Sequence, residues 1–121
     1  MILVDTSVWV NHLRHGDDEL AALLRAGEVA CHTFVTGELA CGNIRNRAEL
    51  LALLSTLPHL PKAEDAEVIE FIGQHRLMGK GLGLIDIHLL ASCVIAGIGL
   101  WTRDGKLRQA ASIVGLAHEP K

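Results

Sequence analysis

Tyrosine is absent from this chain, and phenylalanine and tryptophan supply only two residues each. Aromatics make up 3% of the sequence, which argues against an aromatic base-stacking platform. Positive charge is also scarce: 11 Lys and Arg stand against 14 Asp and Glu, a net charge of −3. No global basic field draws in a polyanion, so any such ligand must be bound locally or through metal ions. The cysteines Cys31, Cys41 and Cys93 form no CxxC pair and lie in apolar contexts. They read as buried thiols in a reducing compartment, not as a disulfide frame or a zinc site. The longest run without an acid or base, Ile87 to Thr102, falls short of the roughly 18 residues of a membrane span. The opening, Met1-Ile2-Leu3-Val4-Asp5, has no basic region, so no signal peptide is expected. The expectation is a cytoplasmic protein with no membrane association.

Apolar side chains are what the sequence has in abundance, at 50%, with 12 glycines besides. A chain of 121 residues suits one domain over 1–121, able to fold without metal or disulfide. So much apolar surface on a small domain also points to a partner or a self-interface.

The pattern along the chain alternates. Ile2-Leu3-Val4 reads as a buried strand of the parallel type. Helical spacing follows over 7–14 and 18–26, stopped by Gly27, and a second strand lies within 28–33. Helices are predicted over 33–41 and 46–57, closed by Gly42 and Pro58, with a short edge strand at 59–61. A helix over 65–78, a glycine-rich loop at 79–83, an apolar helix over 85–96 and a strand over 98–102 come next. A helix over 106–114 and a last strand at 116–117 complete the string. Such alternation predicts an α/β fold of three layers, α/β/α, around a central parallel sheet of about five strands. Ligands of such sheets collect beyond the carboxyl ends of the strands.

Four acids stand out because their neighbours are apolar. Asp5 follows Ile-Leu-Val, Glu38 lies within Thr-Phe-Val-Thr-Gly-Glu-Leu-Ala-Cys, Asp86 within Leu-Ile-Asp-Ile-His-Leu, and Asp104 after Leu-Trp-Thr-Arg. Partly dehydrating a carboxylate costs several kcal/mol unless donors or a cation compensate. Asp5, Asp86 and Asp104 each precede or open a helix, where aspartate commonly caps free N–H groups, and that role stands beside any functional one. Glu38 lies beyond the capping-box position of its helix and has no such role. Asp5 and Asp104 end strands of one sheet, so both face one crevice, where Asp86 and Glu38 can join them. Like charges gathered there call for a divalent cation, and an all-oxygen ligand set favours Mg²⁺ or Mn²⁺ over Zn²⁺. The hydroxyls of Thr6, Ser7 and Thr102 are placed to orient ligands, or else to cap and turn the backbone. His12 and His15, one helical turn apart, lack a third ligand for a metal, and His32 and His88 read as satisfied or surface histidines.

These residues carry a family likeness. Val-Asp-Thr-Ser-Val-Trp-Val, Thr-Gly-Glu-Leu, Ile-Asp-Ile-His-Leu-Leu-Ala-Ser and Leu-Trp-Thr-Arg-Asp-Gly-Lys-Leu, in that order, resemble the motifs of PIN-domain ribonucleases. The likeness is closest to the VapC toxins of VapBC toxin–antitoxin pairs. It implies a PIN-like domain with Mg²⁺ or Mn²⁺ held at Asp5, Glu38, Asp86 and Asp104, and Thr6, Ser7 and Thr102 as accessory polar residues. It also implies an endoribonuclease that cuts RNA with a metal-activated water, a homodimer, and a cognate VapB-type antitoxin that silences it. Leu107 stands where many relatives carry an aromatic residue, a departure that bears on packing. Arg45, Arg47, Lys80 and Arg103 are candidate phosphate contacts for RNA, set against the ordinary solvated role of surface charge; Lys106 and Arg108 also flank Asp104. Two other classes of function bear comparison. A phospho-acceptor receiver domain needs an aspartate after a central strand near mid-chain, where this chain has Leu-Leu-Ala-Leu-Leu-Ser-Thr-Leu-Pro-His-Leu. A non-catalytic PIN-like module, its acidic groove binding a basic partner peptide, remains the alternative.

Overall fold

The computed structural model describes residues 1–121. Three short parallel strands, β1 (Ile2–Val4), β2 (Val29–Ala30) and β3 (Gly99–Trp101), lie in the order β2-β1-β3. Leu3 pairs with Ala30 on one side and Leu100 on the other, and Val4 pairs with Trp101. Single bridges extend the sheet at both edges, His59 beside Cys31 and Ala117 beside Leu100. The sheet therefore has three strands where about five were expected. The two outer segments are held to one bridge each because proline interrupts them. Pro58 and Pro61 flank His59 and Leu60, and Pro120 follows the His118 N–H that bonds Leu100 O.

Seven helices connect and cover these strands: α1 (Thr6–His15), α2 (Asp18–Arg25), α3 (Thr33–Cys41), α4 (Arg47–Thr56), α5 (Asp65–Gln74), α6 (Leu84–Ala96) and α7 (Gly105–Ile113). The connections run outward from β1 through β2 to His59, then back past β1 to β3 and Ala117, and parallel connections of this kind cross right-handed. That reversal puts α1–α4 on one face and α5–α7 on the other. The packing agrees, with α1 on α3, α3 on α4, α5 on α6, and both α6 and α7 on β3. The three layers enclose one core of 25 buried residues. β1 is shielded on both faces, so Leu3 and Val4 are fully buried. On α6, every residue from Ile87 to Cys93 is buried, which is why its sequence is apolar all round. Leu107 is also fully buried, so the aliphatic side chain at that position fills core rather than surface.

α5 stops four residues before the predicted end. Arg76 takes a left-handed conformation (φ 53°), and the Leu77 N–H bonds Ile72 O while the Arg76 N–H bonds Gly73 O. This is a Schellman termination with arginine where glycine is favoured. An Arg76→Gly variant is expected to gain about 0.5–1 kcal/mol, the relieved left-handed strain less the glycine's extra unfolded-state entropy. Urea denaturation checks it, as a higher midpoint with unchanged slope.

The strand order reverses between β1 and β3. Their carboxyl ends thus open onto a switch-point crevice, where this class of sheet binds its ligands.

Candidate functional site

β1 ends at Val4 and β3 at Trp101, and the residues just beyond them meet. The Asp5 N–H donates to Trp101 O at 2.9 Å, locking the first candidate acid to the neighbouring strand. Asp5 occupies the N-cap position of α1, yet its carboxylate makes no capping bond. Its Oδ2 instead accepts from Ser7 Oγ and from Thr102 Oγ1, each at 2.8 Å. Each hydroxyl has one proton, so the 3.3 Å approach between the two hydroxyl oxygens is a contact and not a hydrogen bond. Both hydroxyls accept as well: Ser7 Oγ from the Arg103 N–H at 2.9 Å, Thr102 Oγ1 from the Asp104 N–H at 3.0 Å. Asp5 is 6% exposed and Thr102 4%. The arrangement fixes a buried carboxylate by one oxygen and leaves Oδ1 with no protein partner.

Asp104 and Asp86 do cap, each with a single oxygen. Asp104 Oδ1 accepts from the N–H groups of Lys106 (2.9 Å) and Leu107 (3.2 Å) at the start of α7. Asp86 Oδ2 accepts from the Gly83 N–H at 3.3 Å at the start of α6. The capping role and a ligand role are therefore compatible at these two positions, since one oxygen of each stays free. Burial pushes the Asp86 carboxyl above the usual carboxylate range; the Gly83 N–H opposes this, while the charges of Asp5 and Asp104 add to it. Three acids, 81 and 18 residues apart along the chain, thus act on one another in one crevice. Glu38, in the second turn of α3, is tied in by Thr6, whose hydroxyl donates to Oε1 at 2.8 Å.

The apolar setting read for all four acids holds only in part. Asp5 is buried and Asp86 half-buried, whereas Glu38 and Asp104 are exposed. Glu38 faces outward from a turn of α3 whose next residue, Leu39, points inward, whereas Asp104 stands at the start of α7 between Arg103 and Gly105, both exposed. No three His, Cys, Asp or Glu side chains form a ready-made ligand set. The donors still suit a hard divalent cation: free carboxylate oxygens of Asp5, Asp86 and Asp104, a nearby Glu38, and hydroxyls.

The basic candidates differ among themselves. Arg47 Nε donates to Ala40 O at 3.0 Å and so braces the end of α3. Arg103 engages the site through its backbone, and neither it nor Arg45, Arg47 or Lys80 forms an ion pair. His12 is no metal ligand, because its Nδ1 accepts the Asp17 N–H at 2.9 Å. Neither His32 nor His88 is a surface histidine: both are buried, and His88 Nδ1 has no partner. Cys31 and Cys93 are buried as expected, but Cys41, at the end of α3, is exposed.

Sequence reasoning missed a groove of about 730 Å³ that starts at Thr6 and Glu38 and runs between α1, α3 and α4 past Val10, Leu13, Ile44, Arg14 and Arg45. Its lining leaves two large apolar residues exposed, Leu13 at 43% and Leu53 at 42%, and no local feature of the sequence marks them.

Comparison with known proteins agrees with this fold. Residues 2–113 match the family model of the PIN domain. Ribonuclease VapC32 of Mycobacterium tuberculosis, in strains CDC 1551 / Oshkosh and ATCC 25618 / H37Rv, is 46% identical over 118 residues, 97% of this chain and 95% of that protein. Among solved structures, PAE2754 from Pyrobaculum aerophilum matches with a TM-score of 0.68 at 17% identity, covering 97% of this chain and 87% of its own. FitAcB from Neisseria gonorrhoeae matches with a TM-score of 0.60 at 20% identity, covering 93% and 94%. These two likenesses concern the fold alone.

Proposed function

The chain belongs to the PIN-domain family, and from that premise we propose that it is the ribonuclease toxin of a type II toxin–antitoxin system, cutting RNA phosphodiesters at Asp5, Glu38, Asp86 and Asp104. The observation that carries this reading is the bare Oδ1 of buried Asp5, presented to the crevice by two hydroxyl donors from different strand ends. The 46% identity to a protein named as a ribonuclease disfavours the alternative of a non-catalytic groove for a basic peptide.

Mg²⁺ or Mn²⁺ would be held by the free oxygens of Asp5, Asp86 and Asp104 together with Glu38. When bound, such an ion lowers the pKa of water and neutralises charge on the leaving oxygen of a phosphodiester. The chain's own residues do the positioning. Ser7 and Thr102 fix the orientation of Asp5, and Thr102 passes that order to the backbone of Asp104. Thr6 fixes the orientation of Glu38. Arg45, Arg103 and Lys80, with no carboxylate partners, are available to phosphates on either side of the acids, as are the remaining guanidinium donors of Arg47. The chain acts as a single domain over 1–121, with a VapB-type antitoxin and a second copy of itself as partners. No helix is long and apolar enough to cross a membrane, and free thiols, one of them exposed, suit a cytoplasmic setting.

The direct test incubates the purified chain with labelled single-stranded RNA, with and without Mn²⁺. Cleavage that requires the ion and stops on chelation is expected; failure to cut any of a mixed-sequence pool would overturn the assignment. A Thr102→Val variant keeps the shape but removes the donor to Asp5 and the acceptor for the Asp104 N–H. Its cleavage is expected to fall about 10- to 100-fold, through weaker Mn²⁺ binding measurable by calorimetry.

A further inference from the structure

An acidic crevice on a chain of net charge −3 repels the polyanion it is proposed to cut, so local cations must hold the strand. One lysine is built into the rim. The Lys106 N–H bonds Asp104 Oδ1 at 2.9 Å, which anchors its backbone at the start of α7. Its side chain then crosses to the loop before α6 and lies on Gly81. A Cβ on Gly81 would stand 2.8 Å from Lys106 Nζ, 3.0 Å from Cδ and 3.2 Å from Cε. Gly81 also has φ +76°, so the loop demands a residue without a side chain there on two counts. Two residues on, the Gly83 N–H holds Asp86. Lys106 therefore spans the gap between the helix starts that carry Asp104 and Asp86. Despite these neighbours, its ammonium forms no ion pair with any carboxylate.

We propose that Lys106, laid across the bare face of Gly81, is a substrate-binding residue that contacts a backbone phosphate of RNA at the Asp86–Asp104 edge of the crevice. The inference deepens the ribonuclease reading and rests on it. A lysine in this position gives the strand a fixed cation beside the acids, where an unpaired ammonium has all three donors available. It supplies no base recognition, so the contact is indifferent to sequence.

The test uses fluorescence anisotropy with a fluorescein-labelled single-stranded RNA of mixed sequence, titrated at several KCl concentrations, in an Asp86→Asn background that prevents cutting. A phosphate contact releases counterions, so Lys106→Met should lower the slope of log affinity against log salt by about 0.7. Affinity near 0.1 M salt should weaken roughly three- to tenfold, and Lys106→Arg should restore most of both. Methionine keeps the reach and the packing over Gly81, so a lysine that only roofs the loop predicts an unchanged slope, which would overturn the proposal. An unchanged thermal midpoint in Lys106→Met confirms that folding is not what moved. Wild-type cleavage of the same RNA with Mn²⁺ separates the two readings. A slope that drops when the wild type does not cut leaves the phosphate contact standing and removes the ribonuclease.

Discussion

An Asp5→Asn variant is expected to lose Mn²⁺-dependent RNA cleavage by about a thousandfold or more while keeping its fold. Asparagine has nearly the same shape, and its Oδ1 can still accept from Ser7 and Thr102, whose bonds to Asp5 are both 2.8 Å. The local scaffold is thus preserved. What disappears is the negative charge, and an NH₂ donor replaces the free carboxylate oxygen on the crevice side. A donor cannot ligate a cation, and the remaining acids lose the partner with which they would share it. Cleavage time courses, far-ultraviolet circular dichroism and a calorimetric Mn²⁺ titration together check the result. A folded variant that cuts RNA at the wild-type rate would remove Asp5 from the chemistry.

Acid should destabilise the chain through His32. Its Nδ1 accepts the Phe34 N–H at 3.0 Å, and its Nε2 meets Ser92 Oγ at 3.1 Å. Ser92 uses its one proton on Pro61 O at 2.9 Å, so His32 must donate from Nε2 and is neutral. Burial holds its pKa down to about 4, helped by the positive charges of His88, His59 and Lys62. An unfolded histidine titrates near 6.5. The unfolded chain therefore binds the extra proton first. Stability from this group is complete above pH 6.5 and drains away as pH falls toward 4. The loss over that window is about 3 kcal/mol. Urea unfolding at both ends of the window, in wild type and in His32→Asn, measures it. Asparagine can still serve at the N-cap, so the variant should show a flatter dependence, and an equally steep one would assign the acid sensitivity elsewhere.

The way Asp5 and His32 are held explains what could and could not be read in advance. Asp5 was legible because a carboxylate directly after Ile2-Leu3-Val4 must sit at a strand end of a buried parallel sheet. Asp86 and Asp104 were legible as caps, and each uses one oxygen for the cap, which leaves the other open to the ligand role proposed for it. His32 was not legible, because its neutral state depends on Ser92, 60 residues away. The groove beside Glu38 was equally hidden, since Val10, Ile44 and Arg45 share a surface only after α1 packs on α3 and α3 on α4. The outer strands shrank to single bridges because prolines withhold the N–H groups a longer ladder needs.

Periodicity and punctuation, both local properties, determined the order of helices and strands, the parallel sheet and the four acids at its rim. Chain crossing decided the rest. The sheet's reversal at β1 brought Thr102 to Asp5 across 97 residues, and packing of α7 against β3 laid Lys106 over Gly81. Such pairings depend on which side chains fill a shared volume, and a linear sequence constrains that only through the whole fold.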